Sequence, residues 1–139
     1  MRLFVDTWGW LALADPKDPY HTEAVECYRE YGKRVAAVVT SNFVLDESFT
    51  LLFQRRPYKE ALHFSSGILE SQYIWIETVT EPRFKMAYEL RQRFFDKPRI
   101  SFTDLSSMAI MTELKISDIL TGDDHFSQVG LGLRRIPAR

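Results

Sequence analysis

Cysteine and histidine are scarce in this chain of 139 residues. Cys27 is the only cysteine, so no intramolecular disulfide can form, and the composition does not imply an oxidising compartment. The three histidines, at positions 21, 63 and 125, are widely separated. Because zinc favours sulfur and nitrogen ligands, a structural zinc site is not expected. Among the histidines, only His125 is expected near a functional site, and there in a peripheral position.

Excess charge of one sign and long apolar runs are also absent. The formal net charge is −1, so binding of a polyanion would need a local basic patch. No run is long enough to span a bilayer, and Asp6 interrupts the N-terminal apolar run before it resembles a secretory signal. We therefore expect a cytoplasmic protein without membrane contact. The length and the 45% of hydrophobic residues fit a single domain over residues 1–139.

Short apolar runs alternate with longer helical stretches along the chain. We predict strands over residues 3–5, 35–39, 73–76, 118–120 and 133–136, and helices over residues 8–14, 22–31, 59–69 and 81–95. Ser41 or Asn42 is the predicted cap of a further helix that runs towards residue 55, and Thr103 or Asp104 caps one that reaches about residue 114. This alternation predicts an α/β domain with a central, mostly parallel sheet.

Three acidic residues stand where the predicted strands end. In open parallel sheets, ligands bind beyond the carboxyl ends of the strands. Asp6 follows the first strand directly, and Asp123 follows the strand at 118–120 after a short turn. Asp104 lies at the start of a predicted helix, after an irregular stretch. We therefore expect these three carboxylates to reach one edge of the sheet.

A fourth acid is expected on the helix over residues 43–53, which is apolar almost all round and is predicted to be heavily buried. Asp46 and Glu47 interrupt it. Glu47 shares a face with Val44 and Leu51, but Asp46 has apolar neighbours at similar spacing, so periodicity does not choose between the two. A buried carboxylate must be paired, hydrogen-bonded or bound to a metal.

Taken singly, each of these acids has a structural interpretation as a turn residue, an N-cap or a partner of a nearby arginine. Taken together, they would repel one another strongly without a counter-charge. A hard divalent cation such as Mg²⁺ or Mn²⁺, which prefers oxygen ligands, would resolve that repulsion. A carboxylate cage around such a cation suits phosphodiester hydrolysis by water, without a nucleophilic side chain.

Four short motifs resemble those of PIN domains in their order and separation. They are LFVDT at 3–7, TSN at 40–42 with VLDE at 44–47, SFTD at 101–104 and LTGDDHF at 120–126. The resemblance covers essentially the whole chain. Among PIN proteins, the length and the lack of appended domains are most similar to the VapC-type toxins of prokaryotic type II toxin–antitoxin pairs.

The resemblance implies a three-layer α/β/α sandwich and Mg²⁺- or Mn²⁺-dependent endoribonuclease activity. It assigns Asp6, Glu47, Asp104 and Asp123 to the catalytic metal site, and so selects Glu47 over Asp46. Asp6, Asp104 and Asp123 would hold the metal directly or through water. Glu47 would position or deprotonate the attacking water. As carboxylates in such clusters titrate as a group, this division of roles is a working hypothesis.

The resemblance also implies supporting residues and partners. Four hydroxyls would orient ligands or waters, and they belong to Thr7, Ser41, Thr103 and Thr121. Asp123 fits the family position, but the adjacent Asp124 leaves open which of the two faces the metal. The expected partners are an RNA substrate, a VapB-like antitoxin and a second copy of the chain in a homodimer.

Basic residues form two dense patches that would track an RNA backbone or else form a solvated face. The candidates are Arg55, Arg56, Lys59, Arg91 and Arg93, with Lys97 and Arg99 near the second patch. A third patch at the C-terminus holds Arg134, Arg135 and Arg139.

Two alternative functions stay open at this point. One is a PIN nuclease of RNA processing that has no antitoxin, and the other is a non-catalytic module that binds RNA or protein. A phosphotransfer domain is disfavoured. A haloacid dehalogenase-type site would need a second Asp where Trp8 stands, and a receiver domain would need paired acids after the first strand.

Overall fold

Five parallel strands form the central sheet of the computed structural model, which describes residues 1–137. The strands are β1 (Leu3–Val5), β2 (Val38–Ser41), β3 (Ile74–Glu77), β4 (Asp118–Leu120) and β5 (Arg134–Ile136). Their order in the sheet is β3-β2-β1-β4-β5, and every neighbouring pair is parallel. The predicted parallel α/β architecture is confirmed. Arg139, in the predicted C-terminal basic patch, lies outside the described residues.

Seven helices connect or follow these strands within residues 1–137. They are α1 (Thr7–Ala14), α2 (His21–Tyr31), α3 (Asn42–Arg55), α4 (Tyr58–Glu70), α5 (Glu81–Arg93), α6 (Phe102–Leu114) and α7 (His125–Gln128). Helix α1 packs on α2 and α3, α3 packs on α4, and α5 packs on α6. Right-handed crossovers between parallel strands place the helices before β3 and those after it on opposite faces, which gives three layers. No helix in this part of the chain has the length and apolarity needed to cross a membrane.

The core lies on both sides of the sheet's central strands. All three residues of β1, Leu3, Phe4 and Val5, are fully buried, and so are Ile119 and Leu120 of β4. Strands covered on both faces read as continuous apolar runs, which is why periodicity located β1 and β4 correctly.

Two local predictions are wrong. Strand β2 begins at Val38 rather than at position 35, because Ala36 adopts a left-handed φ of 57° that cannot continue a strand. Helix α6 is capped by Ser101, whose Oγ accepts a hydrogen bond from the backbone N–H of Asp104 at 3.0 Å. Asp104 therefore lies within the first turn of α6, and neither it nor Thr103 is the N-cap.

Helix α1 starts unusually close to the sheet. A Cβ at Gly9 would lie 2.7 Å from the carbonyl oxygen of Leu120 and 2.8 Å from Cγ1 of Val5, which is closer than carbon atoms pack. Glycine at this position therefore lets the first turn of α1 sit against the carboxyl ends of β1 and β4.

Candidate active site

The candidate site lies at the point in the sheet where strand order reverses. From β1 the chain continues to β2 and β3 on one side, whereas β4 and β5 lie on the other. Val5 of β1 pairs with Leu120 of β4, so Asp6 and Thr121, which directly follow these two residues, lie at the same edge. Crevices at such switch points are the usual binding sites of open α/β sheets.

An open cleft of about 770 Å³ occupies this position. Its lining includes all four predicted acids, Asp6, Glu47, Asp104 and Asp123. They come from the end of β1, from α3, from the first turn of α6 and from the turn after β4. A second cavity, of about 890 Å³, lies beside β3, α5 and α6 and contains none of these four residues.

Asp6 is the most enclosed of the four acids, with 5% of its surface exposed. It is also the N-cap of α1, because its Oδ1 accepts a hydrogen bond from the backbone N–H of Gly9 at 3.0 Å. Burial raises the pKa of Asp6 to about 7, and the charges of Asp104 and Asp123 add to that rise. Hydrogen bonds from Thr121 and Gly9 oppose it.

Asp104 is held near Asp123 by the N-terminal turn of α6. Burial raises the pKa of Asp104 to about 6, with further contributions from the charges of Asp123 and Glu47 and an opposing one from His125. The pKa values of two carboxyls in one cleft are thus raised for the same reasons, desolvation and mutual repulsion. A bound cation would relieve both.

Asp123, rather than Asp124, faces the other acids. The Asp123 backbone N–H donates to Oγ1 of Thr121 at 3.0 Å, and its Oδ1 accepts from the backbone N–H of His125 at 2.8 Å. Asp124 also lines the cleft, but it is exposed and forms an ion pair with Arg135. The sequence left these two acids unresolved, and the turn geometry separates them.

His125 lies among the carboxylates and not at their periphery. Its Nδ1 is 3.0 Å from Oδ1 of Asp123 and 3.5 Å from Oδ2 of Asp104. One donor atom from each of these three residues lies within 4.8 Å of the others. Sequence reasoning undervalued His125, although its position two residues after Asp123, in the same turn, was the available signal.

The predicted burial of Glu47 is wrong. Glu47 is exposed, because the face of α3 that carries it borders the open cleft instead of the core. It forms no ion pair with any residue of the described chain, so the structural interpretation as an arginine partner receives no support. Asp46 is exposed as well, but it does not line the cleft. Position relative to the cleft thus separates two neighbours that periodicity did not.

The four predicted supporting hydroxyls have different surroundings. Ser41 caps α3 by accepting from the backbone N–H of Val44 at 3.1 Å, and Thr121 contacts both Asp6 and Asp123. Oγ1 of Thr7 is buried and has no hydrogen-bond partner among the described residues. The contacts of Thr103 involve its carbonyl oxygen, which accepts hydrogen bonds from the hydroxyls of Ser106 and Ser107 at 2.7 and 3.0 Å.

The basic residues are spread over several surfaces. Of the five predicted to bind RNA, only Arg55 lines the acidic cleft, where Arg99 joins it. Arg56 forms ion pairs with Asp15 and Glu60. The remaining three are distributed as follows: Arg91 binds the carbonyls of Phe94, Lys97 and Ile100, Arg93 lies over the ring of Phe94, and Lys59 lies beside Arg56 at a separate surface pocket.

The donor set of the cleft fits a divalent cation. It combines carboxylate oxygens, which hard cations prefer, with one imidazole nitrogen. Oγ1 of Thr7, a buried polar atom at the cleft, has no hydrogen-bond partner among residues 1–137. Nδ1 of His125 is also buried, and its contacts with Asp123 and Asp104 are ion-pair contacts without good hydrogen-bond geometry. Unsatisfied buried donors or acceptors are costly unless a ligand or water completes them.

The sequence profile of the PIN domain matches residues 3–131. The chain therefore belongs to the PIN-domain family, as its motifs predicted. It is 34% identical over 128 residues to the 23S rRNA-specific endonuclease VapC20 of Mycobacterium tuberculosis, in the strains CDC 1551 and H37Rv, a match that covers 92% of this chain and 94% of that protein.

The fold comparison agrees with the sequence comparison. The crystal structure of M. tuberculosis VapC20, described as a sarcin–ricin loop cleaving toxin, superposes with a TM-score of 0.81 at 32% identity, over 92% of this chain and 95% of that one. The predictions of a PIN-like α/β/α fold and of a homologue of VapC-type endoribonuclease toxins are confirmed.

Proposed function

We propose that this chain cleaves RNA phosphodiester bonds in the cleft formed by Asp6, Glu47, Asp104 and Asp123, as a Mg²⁺- or Mn²⁺-dependent endoribonuclease. The observation that carries the proposal is the convergence of these four acids in one cleft, two of them with a pKa raised to about 7 and about 6. Natural sequences keep such an unfavourable arrangement of charge where function requires it.

The residues divide into holders of the cation and a residue that acts on water. Asp6 is buried, Asp104 and Asp123 are partly buried, and these three would hold the cation. When bound, it would polarise the scissile phosphoryl group and favour loss of a proton from the attacking water. Glu47 is exposed and forms no ion pair within the described chain, so its carboxylate oxygens can orient that water and accept its proton.

The RNA backbone would reach the site along Arg55 and Arg99. Both are exposed, both line the acidic cleft, and neither forms an ion pair with another described residue. Guanidinium groups bind phosphates in a bidentate manner, so this pair would hold the phosphates next to the scissile bond. Arg56 and Arg91 are less suited to this role, because ion pairs and backbone carbonyls already occupy their guanidinium groups.

The likeness to VapC20 supports finer assignments. We take the sarcin–ricin loop of 23S rRNA, named for the relatives, as the first substrate to test. We further propose that the chain is a cytoplasmic toxin, that it forms a homodimer, and that a VapB-like antitoxin neutralises it. The metal-site roles and the RNA-binding role of Arg55 belong to the same proposal.

The test is cleavage of intact 23S rRNA and of a sarcin–ricin loop oligonucleotide by the purified chain, with Mg²⁺ or Mn²⁺. Asp6→Asn and Asp104→Asn should abolish cleavage, whereas Asp46→Asn, outside the cleft, should retain it. Total RNA, assayed in parallel, would reveal cleavage of an RNA other than 23S rRNA. Equal cleavage by the native chain and the Asp6→Asn variant would identify a contaminant, and no cleavage of any RNA by the folded chain would overturn the proposal.

A further inference from the structure

Asp123 both anchors the backbone of His125 and lies beside its ring. It begins the short helix α7, and its backbone N–H donates to Oδ1 of Asp123 at 2.8 Å. This bond holds the main chain so that Nδ1 of the ring falls 3.0 Å from the same Oδ1 and 3.5 Å from Oδ2 of Asp104. A position between two carboxylates of the cleft is therefore built into the turn.

The ring nitrogen is close to these oxygens without being aligned with either. Nδ1 of His125 is buried, although 26% of the side chain is exposed. It lies within ion-pair distance of both carboxylates but makes no hydrogen bond of good geometry with a described residue. Ligand bonds of about 2.0–2.1 Å that meet at right angles on one ion place neighbouring ligand atoms about 3 Å apart. The separations from Nδ1 to Asp123 and Asp104 are close to that value.

We propose that Nδ1 of His125 is a ligand of the divalent cation held by Asp104 and Asp123, and that it makes the site favour Mn²⁺ over Mg²⁺. Imidazole nitrogen binds transition-metal ions well, whereas Mg²⁺ prefers oxygen ligands and near-ideal octahedral geometry. One nitrogen in an otherwise carboxylate site therefore shifts the preference between the two ions. The inference rests on the proposed function only in taking this cation to be the one used in cleavage.

The test is spectroscopic and uses the full-length chain loaded with Mn²⁺ alone. Pulsed electron paramagnetic resonance detects the ¹⁴N nucleus of an imidazole bound directly to Mn²⁺. We expect this signal in the native chain, its loss in His125→Gln, and its retention in His63→Gln, which removes an exposed histidine of α4. Replacing ¹⁴N by ¹⁵N in histidine should convert the signal of the native chain, which assigns it to a histidine. Since His125 is the one histidine in the described lining of the cleft, and His63→Gln should retain the signal, the test survives if His125→Gln fails to fold.

Affinity measurements separate a ligand from a residue that only orients Asp123. If His125 is a ligand, its loss should weaken Mn²⁺ binding by about 10-fold or more and Mg²⁺ binding by clearly less. If it only orients Asp123, its loss should lower the affinity for both ions equally, by about 10- to 100-fold. Absence of a nitrogen signal in the native chain, or equal weakening for both ions, would overturn the inference. RNA cleavage without the nitrogen signal would support the proposed function and overturn the role of His125 as a ligand. The nitrogen signal without cleavage of any RNA would support the role of His125 and overturn the proposed function.

Discussion

The backbone N–H of Gly9 donates to Oδ1 of Asp6 at 3.0 Å, so a carboxylate of the cleft also begins helix α1. Asn is as good an N-cap as Asp. We therefore expect Asp6→Asn to lose RNA cleavage while the chain stays folded. Asp6→Ala should additionally lower the free energy of unfolding by about 0.5–2 kcal/mol, the value of a lost cap. Cleavage assays and urea unfolding check both, and equal stability of the two variants would contradict the capping role.

The acidic cleft should make the metal-free chain less stable as the pH rises. The pKa of Asp6 is raised from 3.8 to about 7 and that of Asp104 to about 6, so the folded state binds these protons more tightly than the unfolded state. Their stabilising contribution is complete below the ordinary pKa and is lost as the pH rises through the folded values. Unfolding in EDTA should show this decline, and Asp6→Asn should flatten it.

Added Mn²⁺ or Mg²⁺ should restore the stability that is lost at neutral pH, because an ion that binds only the folded state stabilises it. Asp118 provides the contrast. Burial tends to raise its pKa, but hydrogen bonds from Arg134 and Tyr31 lower it, so its contribution is lost only in more acidic solution. A stability that rises from mildly acidic to neutral pH in EDTA would contradict the prediction.

Glu47 and Asp46 form a matched pair on adjacent positions of α3, one inside the cleft and one outside it. Glu47→Gln should lower the single-turnover cleavage rate by about 10²- to 10⁴-fold, the usual loss when a general base is removed. Asp46→Asn should leave the rate nearly unchanged. Similar losses in both variants would show that charge on α3, not the position of Glu47, is what matters.

Two glycines should respond to alanine with opposite signs. A Cβ at Gly9 would meet the Leu120 carbonyl oxygen and the Val5 side chain at 2.7 and 2.8 Å, so Gly9→Ala should cost about 1–3 kcal/mol of stability. A methyl group added at Gly67, inside helix α4, would meet no atom within 4 Å. Gly67→Ala should therefore stabilise the chain by about 0.5–1 kcal/mol. Thermal unfolding of the two variants measures the difference.

Arg91 fixes the segment that precedes α6. Its guanidinium donates to the carbonyl oxygens of Phe94, Lys97 and Ile100 at 2.5, 2.6 and 2.7 Å, and this segment carries Arg99 to the cleft. Arg91→Gln should lower the free energy of unfolding by about 2–3 kcal/mol. Arg93→Gln is the control and should cost about 1 kcal/mol or less, since it removes only the contact of Arg93 with the Phe94 ring. Equal stability of the two variants would show that the carbonyl contacts contribute nothing.

Sequence alone determined the parallel α/β architecture, the family and the acids that follow β1 and β4. Strands buried on both faces give continuous apolar runs, and a carboxylate directly after such a run is placed at the sheet edge by chain connectivity. The pattern is local, so it can be read without knowing what packs against it. Glu47 was distinguished from Asp46 by the resemblance to PIN domains, since helical periodicity treats the two alike.

Only the tertiary structure decided which side chains share the cleft and which are occupied elsewhere. Asp124 pairs with Arg135 at the rim of the cleft, whereas Asp123 lies beside Asp104 and His125. The turn after β4 brings His125 between carboxylates from two elements. Arg55 and Arg91 both belong to dense basic patches of the sequence, yet one borders the cleft and the other binds backbone carbonyls. Such outcomes depend on contacts between residues far apart in the chain, and hydrophobic periodicity carries no information about those contacts.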